Sequence, residues 1–336
     1  MKSRLSIWYL ALLMLVLIKP VLAADVDESL NSVVSQATPT DRLFSVDFNK
    51  DTGVAVGEAG LIMRTDDAGQ TWKKEKSPTT LGLISVAHSG GREIAVGQMG
   101  VVLVREGTSA WKVSDSGSDM RLLKVDINSH GLAVAAGAFG TLLRSKDGGN
   151  SWETIVPDWA ALYDSGAGDT AVIRDEPTNY VVKVLEDNRI IVGGEYGQLN
   201  VSEDGGDTWS ILYRHPEVDG DTAATFFDLK LSGKTGYAVG QAGLVIRTDD
   251  AGKTWTSVAA NTKGSFFAVT YTGASKVFVV GQRVAMKSIN GGESWEQFEP
   301  LDLSLNWYSG LGQTAPNNGR IVAVGHSARI LSLSPF

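Results

Sequence analysis

The decisive stretch of this sequence is Val54-Ala55-Val56-Gly57-Glu58-Ala59-Gly60-Leu61-Ile62-Met63-Arg64-Thr65-Asp66-Asp67-Ala68-Gly69-Gln70-Thr71-Trp72. An apolar run leads into a Gly-x-x-Gly turn, and a second apolar run leads into a Thr-x-Asp-x-Gly-x-Thr-Trp element. Short apolar runs rich in β-branched residues and bounded by glycine turns are typical of antiparallel strands. The stretch therefore predicts two paired strands followed by a second tight turn.

Both elements recur along the whole chain. Seven glycine turns, spaced by 40 to 57 residues, begin at Gly57, Gly97, Gly137, Gly194, Gly240, Gly281 and Gly325. An apolar segment precedes the two runs in each unit, and another begins at the tryptophan, which makes four short strands per unit. Four strands in about 40 to 45 residues are typical of a propeller blade. The sequence predicts an all-β protein, a seven-bladed β-propeller of four-stranded antiparallel blades over residues 24–336.

The aspartate element is predicted to hold this fold together. Its carboxylate can accept hydrogen bonds from backbone N–H groups of its own turn, and its glycine adopts a positive φ at little cost. The tryptophan buries a large ring while its indole N–H stays available to a partner. Asparagine replaces the aspartate in the sixth unit, and the second unit keeps only Trp111. The predicted structural residues are Asp67, Trp72, Asp147, Trp152, Asp204, Trp209, Asp250, Trp255 and Trp295.

Composition and charge argue against several classes of function. The 336 residues include no cysteine, which excludes disulfides, thiolate metal sites, a cysteine nucleophile and a lipid-modified cysteine. A formal charge of −8 argues against nucleic acid or an anionic membrane as partner, because both require a cationic surface. The four histidines are scattered, without the short spacing of a metal site. No metal and no other cofactor is predicted.

The first 23 residues have the pattern of a secretory signal peptide. Lys2 and Arg4 precede an apolar run over residues 5–18, and cleavage is expected after Ala23 or Ala24. A membrane anchor is the alternative, although a membrane span needs about 20 apolar residues. The mature chain is expected to be a soluble monomer of the bacterial periplasm, without direct membrane insertion.

Taken together, the Gly-x-x-Gly turn, the strand after it and the Thr-x-Asp-x-Gly-x-Thr-Trp element resemble the Asp-box repeats of bacterial neuraminidases. They are more similar to the photosystem II stability/assembly factor-like family, over essentially the whole mature chain. The resemblance implies an exported seven-bladed propeller that assists the assembly of a membrane complex without catalysis. Its implied partners are protein subunits of a membrane or envelope complex. Asp boxes occur on propellers of unrelated roles, so the motif specifies fold more than function.

The seventh unit contains only three predicted strands. The extended segment Ser32-Val33-Val34-Ser35 precedes the first strand of unit one, at the position where an outer strand precedes every other unit. We expect this N-terminal strand to pair with the last blade and close the ring. A frayed terminus is the alternative.

Strand direction predicts that the glycine turns share one face with the connections between blades, opposite the aspartate elements. Six of the seven second turn residues can form hydrogen bonds, and aromatic or basic side chains follow several of them. One interpretation is a recognition surface for a peptide or polar ligand, and the other is ordinary polar turns. The candidate partner-binding residues are Glu58, Gln98, Phe139, Glu195, Tyr196, Gln241, Gln282, Arg283 and His326.

The spacing of 57 residues marks an insertion loop at 157–178 on the same predicted face. Loops that carry aromatic residues on a rigid scaffold are frequent binding devices. The insertion therefore adds Trp159, Tyr163 and Arg174 to the candidate partner-binding residues, with a disordered spacer as the alternative.

Three arginines recur at one repeat position, just before the aspartate element. Arg64, Arg144 and Arg247 are candidates for a basic patch on an acidic protein. Alternatively, each arginine covers apolar surface with its stem and neutralises nearby carboxylates.

A sialidase-like glycoside hydrolase is the enzymatic alternative, because such enzymes share the Asp box. Sialidase chemistry requires clustered arginines and a tyrosine nucleophile activated by a carboxylate. The early Arg-Ile-Pro signature of those enzymes is absent, since Arg42 is followed by Leu43 and Phe44. The sequence therefore favours a non-catalytic protein-binding or assembly factor.

Overall fold

Seven four-stranded antiparallel sheets follow one another around a central channel. The computed structural model describes residues 32–35, 38, 40–163, 176–216, 224–299, 303, 306–314 and 319–336. The predicted seven-bladed propeller is confirmed. The predicted signal peptide, residues 1–23, lies outside the described residues. Within those ranges no helix is both long and apolar enough to cross a bilayer.

Each blade has the same strand order from the channel outward, and strands are numbered along the chain. The innermost strands are β2 (Leu43–Asn49), β6 (Leu83–Ser89), β10 (Leu122–Ile127), β14 (Asn179–Val184), β18 (Phe226–Ser232), β22 (Phe266–Thr272) and β26 (Tyr308–Gln313). The second strands are β3 (Thr52–Gly57), β7 (Arg92–Gly97), β11 (Ala133–Gly137), β15 (Ile190–Gly194), β19 (Thr235–Gly240), β23 (Lys276–Gly281) and β27 (Ile321–Gly325).

The two outer positions of the blades are occupied by shorter strands. The third strands are β4 (Ile62–Thr65), β8 (Val102–Glu106), β12 (Leu142–Ser145), β16 (Gln198–Ser202), β20 (Val245–Thr248), β24 (Ala285–Ser288) and β28 (Ile330–Leu333). The outermost strands are β5 (Lys73–Lys74), β9 (Lys112–Ser114), β13 (Glu153–Thr154), β17 (Ser210–Arg214), β21 (Thr256–Ser257), β25 (Glu296–Gln297) and, in blade seven, β1 (Ser32–Ser35). One short helix, α1 (Trp159–Tyr163), follows blade three.

The N-terminal strand closes the ring as the sequence predicted. β1 pairs antiparallel with β28, with Ser32 opposite Ser332, Val33 opposite Leu331 and Ser35 opposite Ile330. The last blade therefore combines both ends of the chain, because its other three strands are C-terminal. A closed ring removes the two free faces that a row of stacked sheets would leave at its ends.

The hydrophobic core lies in the joints between blades. Seven clusters of buried side chains are present in the described part of the chain, and each combines residues of two neighbouring sheets. At the joint of blades one and seven, Leu43 and Val46 pack with Val322 and Val324. Second strands such as β3 are buried along nearly their whole length because both of their faces meet a neighbouring blade.

The antiparallel order assigns the turns to two faces. A blade's glycine turn joins its second and third strands, so it lies at the same end as the connection to the next blade. The Asp-box turns join the third and fourth strands and lie at the opposite end. These are called the loop face and the Asp-box face below.

Candidate functional site

Every innermost strand contains a β-bulge at the same repeat position. In blade one, Leu43 pairs with Gly57 and Ser45 pairs with Val56, which leaves Phe44 without a partner on the second strand. A bulge of this kind re-aims the side chain of the extra residue. The seven bulge residues are Phe44, Ile84, Leu123, Tyr180, Phe227, Phe267 and Ser309.

The bulge residues form an apolar collar around the channel. All seven are half-buried and line a central cavity of about 450 Å³. Neighbouring rings touch around the circle: Tyr180 and Phe227 meet edge to face at 5.5 Å, and Phe227 and Phe267 at 5.6 Å. Trp307 stacks on Phe44 at 6.2 Å. Since bulges lie beside the glycine turns, the collar opens on the loop face.

Charged side chains line the channel beyond the collar. Lys124 Nζ lies 2.6 Å from Asp228 Oδ1, and Lys183 Nζ lies 2.8 Å from Asp126 Oδ2. Asp126 and Asp228 also accept backbone N–H groups of the following blade, from Val184 at 2.7 Å and Val269 at 3.1 Å respectively. These carboxylates therefore help to hold neighbouring blades together.

One further carboxylate links the first two blades at this level. Asp47 Oδ2 accepts the backbone N–H of His88 at 2.8 Å, and Ser45 in the same strand accepts the N–H of Val86 at 3.3 Å. Burial acts to raise the pKa of the Asp228 carboxyl, but Lys124 and Lys230 outweigh burial and hold that pKa below its usual range. Asp228 therefore remains ionised in the channel.

The glycine-turn residues on the loop face are largely engaged with the chain itself. Gln98 Oε1 accepts the N–H of Gly82 at 3.0 Å, and Glu195 Oε2 accepts the N–H of Thr178 at 2.8 Å. Gln241 makes a longer version of this bond to Thr225, at 3.4 Å. Glu58 instead accepts from the Arg42 guanidinium at 2.6 Å. In blades one, two, four and five, these side chains fasten the segment that leads into the innermost strand.

Other candidate residues of the loop face differ in exposure. Phe139, with a φ of 52°, is 62% exposed, and Met99 at the same turn position in blade two is 69% exposed. Gln282 and Arg283 are also exposed. His326 is half-buried, with its ring edge-on to Trp307 at 6.3 Å. The exposed members surround the collar on its outer side.

The insertion requires a correction. Trp159 and Tyr163 were expected to face a partner, but each is only 3% exposed. Helix α1 turns both rings into the joint of blades three and four, where the Trp159 indole donates to the carbonyl oxygen of Gly140 at 3.0 Å. Tyr196, another candidate, is half-buried with its ring edge-on to Tyr163 at 5.6 Å. Arg174 lies outside the described residues.

The three recurrent arginines contact carboxylates and the neighbouring blade. Arg64 donates to Asp66 and to Glu93, both at 2.9 Å. Arg144 and Arg247 lie in the same position on blades three and five and reach the Asp box of the next blade. Nearby carboxylates therefore compensate the charges of these arginines. Such contacts favour the alternative to a basic patch, in which each arginine neutralises neighbouring carboxylates.

The Asp boxes themselves have a repeated hydrogen-bond pattern. Asp67 Oδ1 accepts the Thr65 hydroxyl at 2.7 Å and the Thr71 N–H at 2.9 Å. The indole N–H of Trp72 donates to the carbonyl oxygen of Gly69 at 3.2 Å. The same indole-to-glycine bond recurs at Trp152, Trp209 and Trp255. In the sixth blade the Trp295 indole is buried without a hydrogen-bond partner among the described residues.

The collar was not predicted from the sequence, although the sequence contains a signal for it. Leu43-Phe44, Phe226-Phe227 and Phe266-Phe267 are apolar pairs at the start of the innermost strands. An alternating strand cannot place both members of such a pair on one face. The first member packs in a joint and the second, at the bulge, lines the channel.

The comparisons with known proteins agree with the repeat motifs. The sequence model of the family described as "Photosynthesis system II assembly factor YCF48" matches residues 171–296. The photosystem II assembly lipoprotein Ycf48 of Synechococcus sp. (strain CC9902) is 24% identical over 203 residues, which are 50% of this chain and 61% of that protein. The chloroplastic photosystem II stability/assembly factor HCF136 of Oryza sativa subsp. japonica is 23% identical over 288 residues, 71% of this chain and 65% of that protein. The predicted family resemblance is confirmed.

The matches span less than two thirds of the length of both curated relatives. Among solved structures, YCF48 from Cyanidioschyzon merolae superposes with a TM-score of 0.69 at 18% identity, over 91% of this chain and 98% of that one. A structure of YCF48 bound to D1 peptide gives 0.65 at 16% identity, over 90% and 94%. The GH74 xyloglucanase from Xanthomonas campestris gives 0.67 at 17% identity, over 91% of this chain and 54% of that enzyme. At such identities the structural likeness shows the fold alone.

Proposed function

We propose that this protein is an exported, non-catalytic assembly factor whose apolar collar holds an extended segment of a membrane-complex or envelope-complex subunit. The observation that carries the proposal is the ring of bulge residues, six of which are large and apolar, around an open channel. The curated relatives are named assembly factors, and one solved YCF48 structure contains a D1 peptide. Both facts support a protein client.

The collar has the physical properties of a peptide-binding surface. Aromatic side chains bury about 150–250 Å² each and lose little conformational entropy on binding, which makes them effective anchors. The bulge repeats in every blade, so the collar is supported by seven sheets rather than by a flexible loop. A rigid apolar ring of this kind suits a segment that the client exposes before its own complex is complete.

Export to the periplasm is part of the proposal, supported by the signal-peptide pattern of residues 1–23. The Synechococcus relative is named a lipoprotein. The present chain contains no cysteine, so it lacks the residue that a thioether-linked lipid requires. We therefore propose a periplasmic protein that reaches its client without a lipid anchor of that type.

The sialidase-like alternative gains no specific support. In the described channel, Asp126 and Asp228 each accept a lysine ammonium and a backbone N–H, as expected of carboxylates that connect blades. The xyloglucanase shares the propeller fold at 17% identity, which carries no information on activity.

Affinity capture from the native envelope tests the proposal. We would compare the mature protein with the collar variant Phe44→Ala/Phe227→Ala/Phe267→Ala. The control is Ile289→Ala, which removes a side chain that is 64% exposed on the Asp-box face. Capture of one membrane-complex subunit by the wild type and the control, but not by a folded collar variant, is the expected result. Equal capture by all three would contradict the collar as the binding surface.

A further inference from the structure

Lys230 lies in the channel beneath the apolar collar. It follows the collar residue Phe227 by three positions in β18, which places it about 10 Å deeper at roughly 3.3 Å per strand residue. The side chain lines the 450 Å³ cavity and also a second cavity of about 730 Å³ that opens on the Asp-box face. Lys230 therefore lies at the boundary between the two cavities of the channel.

Lys230 differs from the other charged residues at this level. Lys124 and Lys183 each form an ion pair, and Asp126 and Asp228 accept from these lysines and from backbone. Within the described ranges, Lys230 has neither a hydrogen bond nor a carboxylate within 4.0 Å. Its three N–H donors are thus left for whatever enters the channel.

The charge of Lys230 is nevertheless maintained. Burial acts to lower the pKa of its ammonium, but the carboxylates of Asp47, Asp228 and Asp126 together raise that pKa above its ordinary value. The group is therefore a cation at neutral pH. Because Lys124 and Lys183 already compensate two of those carboxylates, the ring of charges is close to balanced.

We propose that Lys230 binds one carboxylate of the client segment that enters through the apolar collar. The inference rests on the proposed function and specifies the recognised chemistry: apolar side chains at the collar, then a single carboxylate about three extended residues further in. An ammonium–carboxylate pair with direct hydrogen bonds offsets part of the cost of removing both charges from water. Asp47, Asp126 and Asp228 repel any anion in the channel, so only a carboxylate in direct contact with the Lys230 ammonium is stabilised.

Two sources could supply this carboxylate, the C-terminus of the client or an Asp or Glu side chain. A cavity of about 450 Å³ is within the range of small-ligand sites and admits the end of an extended chain. The same chemistry at Lys230 serves both sources, so the experiment must separate them.

The probes are libraries of acetylated nonapeptides with apolar residues at alternate positions. One library ends in a free acid and the second in an amide; a third is amidated and carries one internal Asp. Binding of selected peptides is measured by fluorescence anisotropy with the wild type, Lys230→Gln, Lys230→Arg and, as a control, the exposed outer-strand change Lys112→Gln. Thermal melting confirms that each variant is folded.

We expect carboxylate peptides to bind the wild type and Lys112→Gln equally, and Lys230→Gln at least about tenfold more weakly, as for a broken desolvated ion pair. Lys230→Arg should retain most of the affinity. Preference for the free acid identifies a C-terminus, and preference for internal Asp identifies a side chain. If carboxylate and neutral peptides bind equally, or if Lys230→Gln keeps the preference, the inference on Lys230 is wrong while the proposed function stands. If no peptide binds the wild type, both fail.

Discussion

The guanidinium group of Arg144 in blade three donates to the carbonyl oxygen of Gly205, inside the Asp box of blade four, at 2.7 Å. The same nitrogen lies 2.6 Å from Asp207, and the Nε atom lies 2.8 Å from Glu153 in its own blade. Arg247 repeats the contact from blade five, donating to Gly291 of blade six at 3.2 Å. In blades three and five, the arginine before the Asp box therefore connects its blade to the Asp-box turn of the next one.

Replacement of Arg144 by Met should destabilise the ring. Arg144 is only 5% exposed, and the change leaves the half-buried Gly205 carbonyl without its charged donor while the apolar stem is retained. We expect the free energy of unfolding to fall by about 2 kcal/mol, the typical contribution of hydrogen bonds that involve a charged group. Urea denaturation measures the change. If the midpoint of urea denaturation is unchanged and partner binding is reduced instead, Arg144 belongs to a basic patch and does not stabilise the joint between blades three and four.

The sequence predicted the repeat, the number of blades and the closure by β1 because these features depend on local patterns and on counting. Glycine turns and Asp boxes are contiguous motifs, so a blade can be recognised from Gly57 and Trp72 in its own sequence alone. Closure of the ring by β1 was predicted because unit seven lacks one of its four strands. The motifs are therefore encoded within single units, and the number of blades and the closure follow from counting them.

The collar and the burial of Trp159 could not be predicted in the same way. Phe44 reaches the channel because its strand carries a bulge, and the pairing shift that creates a bulge is not visible in one strand alone. Trp159 is buried because Gly140, 19 residues earlier, offers a carbonyl in the joint. Both depend on pairing between separate segments of the chain, which the hydrophobic character of one segment does not specify.

The corrected role of Trp159 gives a second prediction. Trp159→Ala should lower the free energy of unfolding by about 3–5 kcal/mol, as for other large-to-small changes in a packed core. Trp159→Phe should cost less, since it removes the bond to Gly140 but keeps most of the ring. Denaturant titration distinguishes the variants. If Trp159→Ala melts like the wild type but no longer captures the client, the residue faces the partner after all.

The Asp boxes predict a dependence of stability on pH. Hydrogen bonds from the Thr71 hydroxyl and N–H, with that of the Thr65 hydroxyl, lower the pKa of Asp67 to about 2. The pKa values of Asp204 and Asp250 are lowered by the same kind of contacts. A lowered folded-state pKa means that the stabilisation is complete above the unfolded value, about pH 4, and is lost as pH falls toward about 2.

Replacing these aspartates by asparagine should weaken the dependence of stability on pH in acid. The sixth blade already has asparagine, Asn290, at this position of its Asp box. Asn290 Oδ1 accepts the Ser294 N–H at 3.0 Å, and its Nδ2 donates to the Ser294 hydroxyl at 2.9 Å. We expect the variant Asp67→Asn/Asp204→Asn/Asp250→Asn to fold, and to lose less melting temperature than the wild type between about pH 4 and pH 2. Calorimetry over this range is the measurement. Parallel curves for the two proteins would show that other groups control acid unfolding.

The closure of the ring gives the last prediction, which concerns the N-terminal strand. A chain that begins at Thr38 lacks β1 and leaves β28 as an unpaired edge in the blade that joins the two ends. We expect its melting temperature to fall by on the order of 5–10 °C, equivalent to about 2 kcal/mol or more for a domain of this size. A chain that begins at Asn31 keeps β1 and serves as the control. Equal melting of the two chains would mean that Ser32–Ser35 contributes nothing to closure, and that the contacts of Leu43 and Val46 with Val322 and Val324 hold the ring without it.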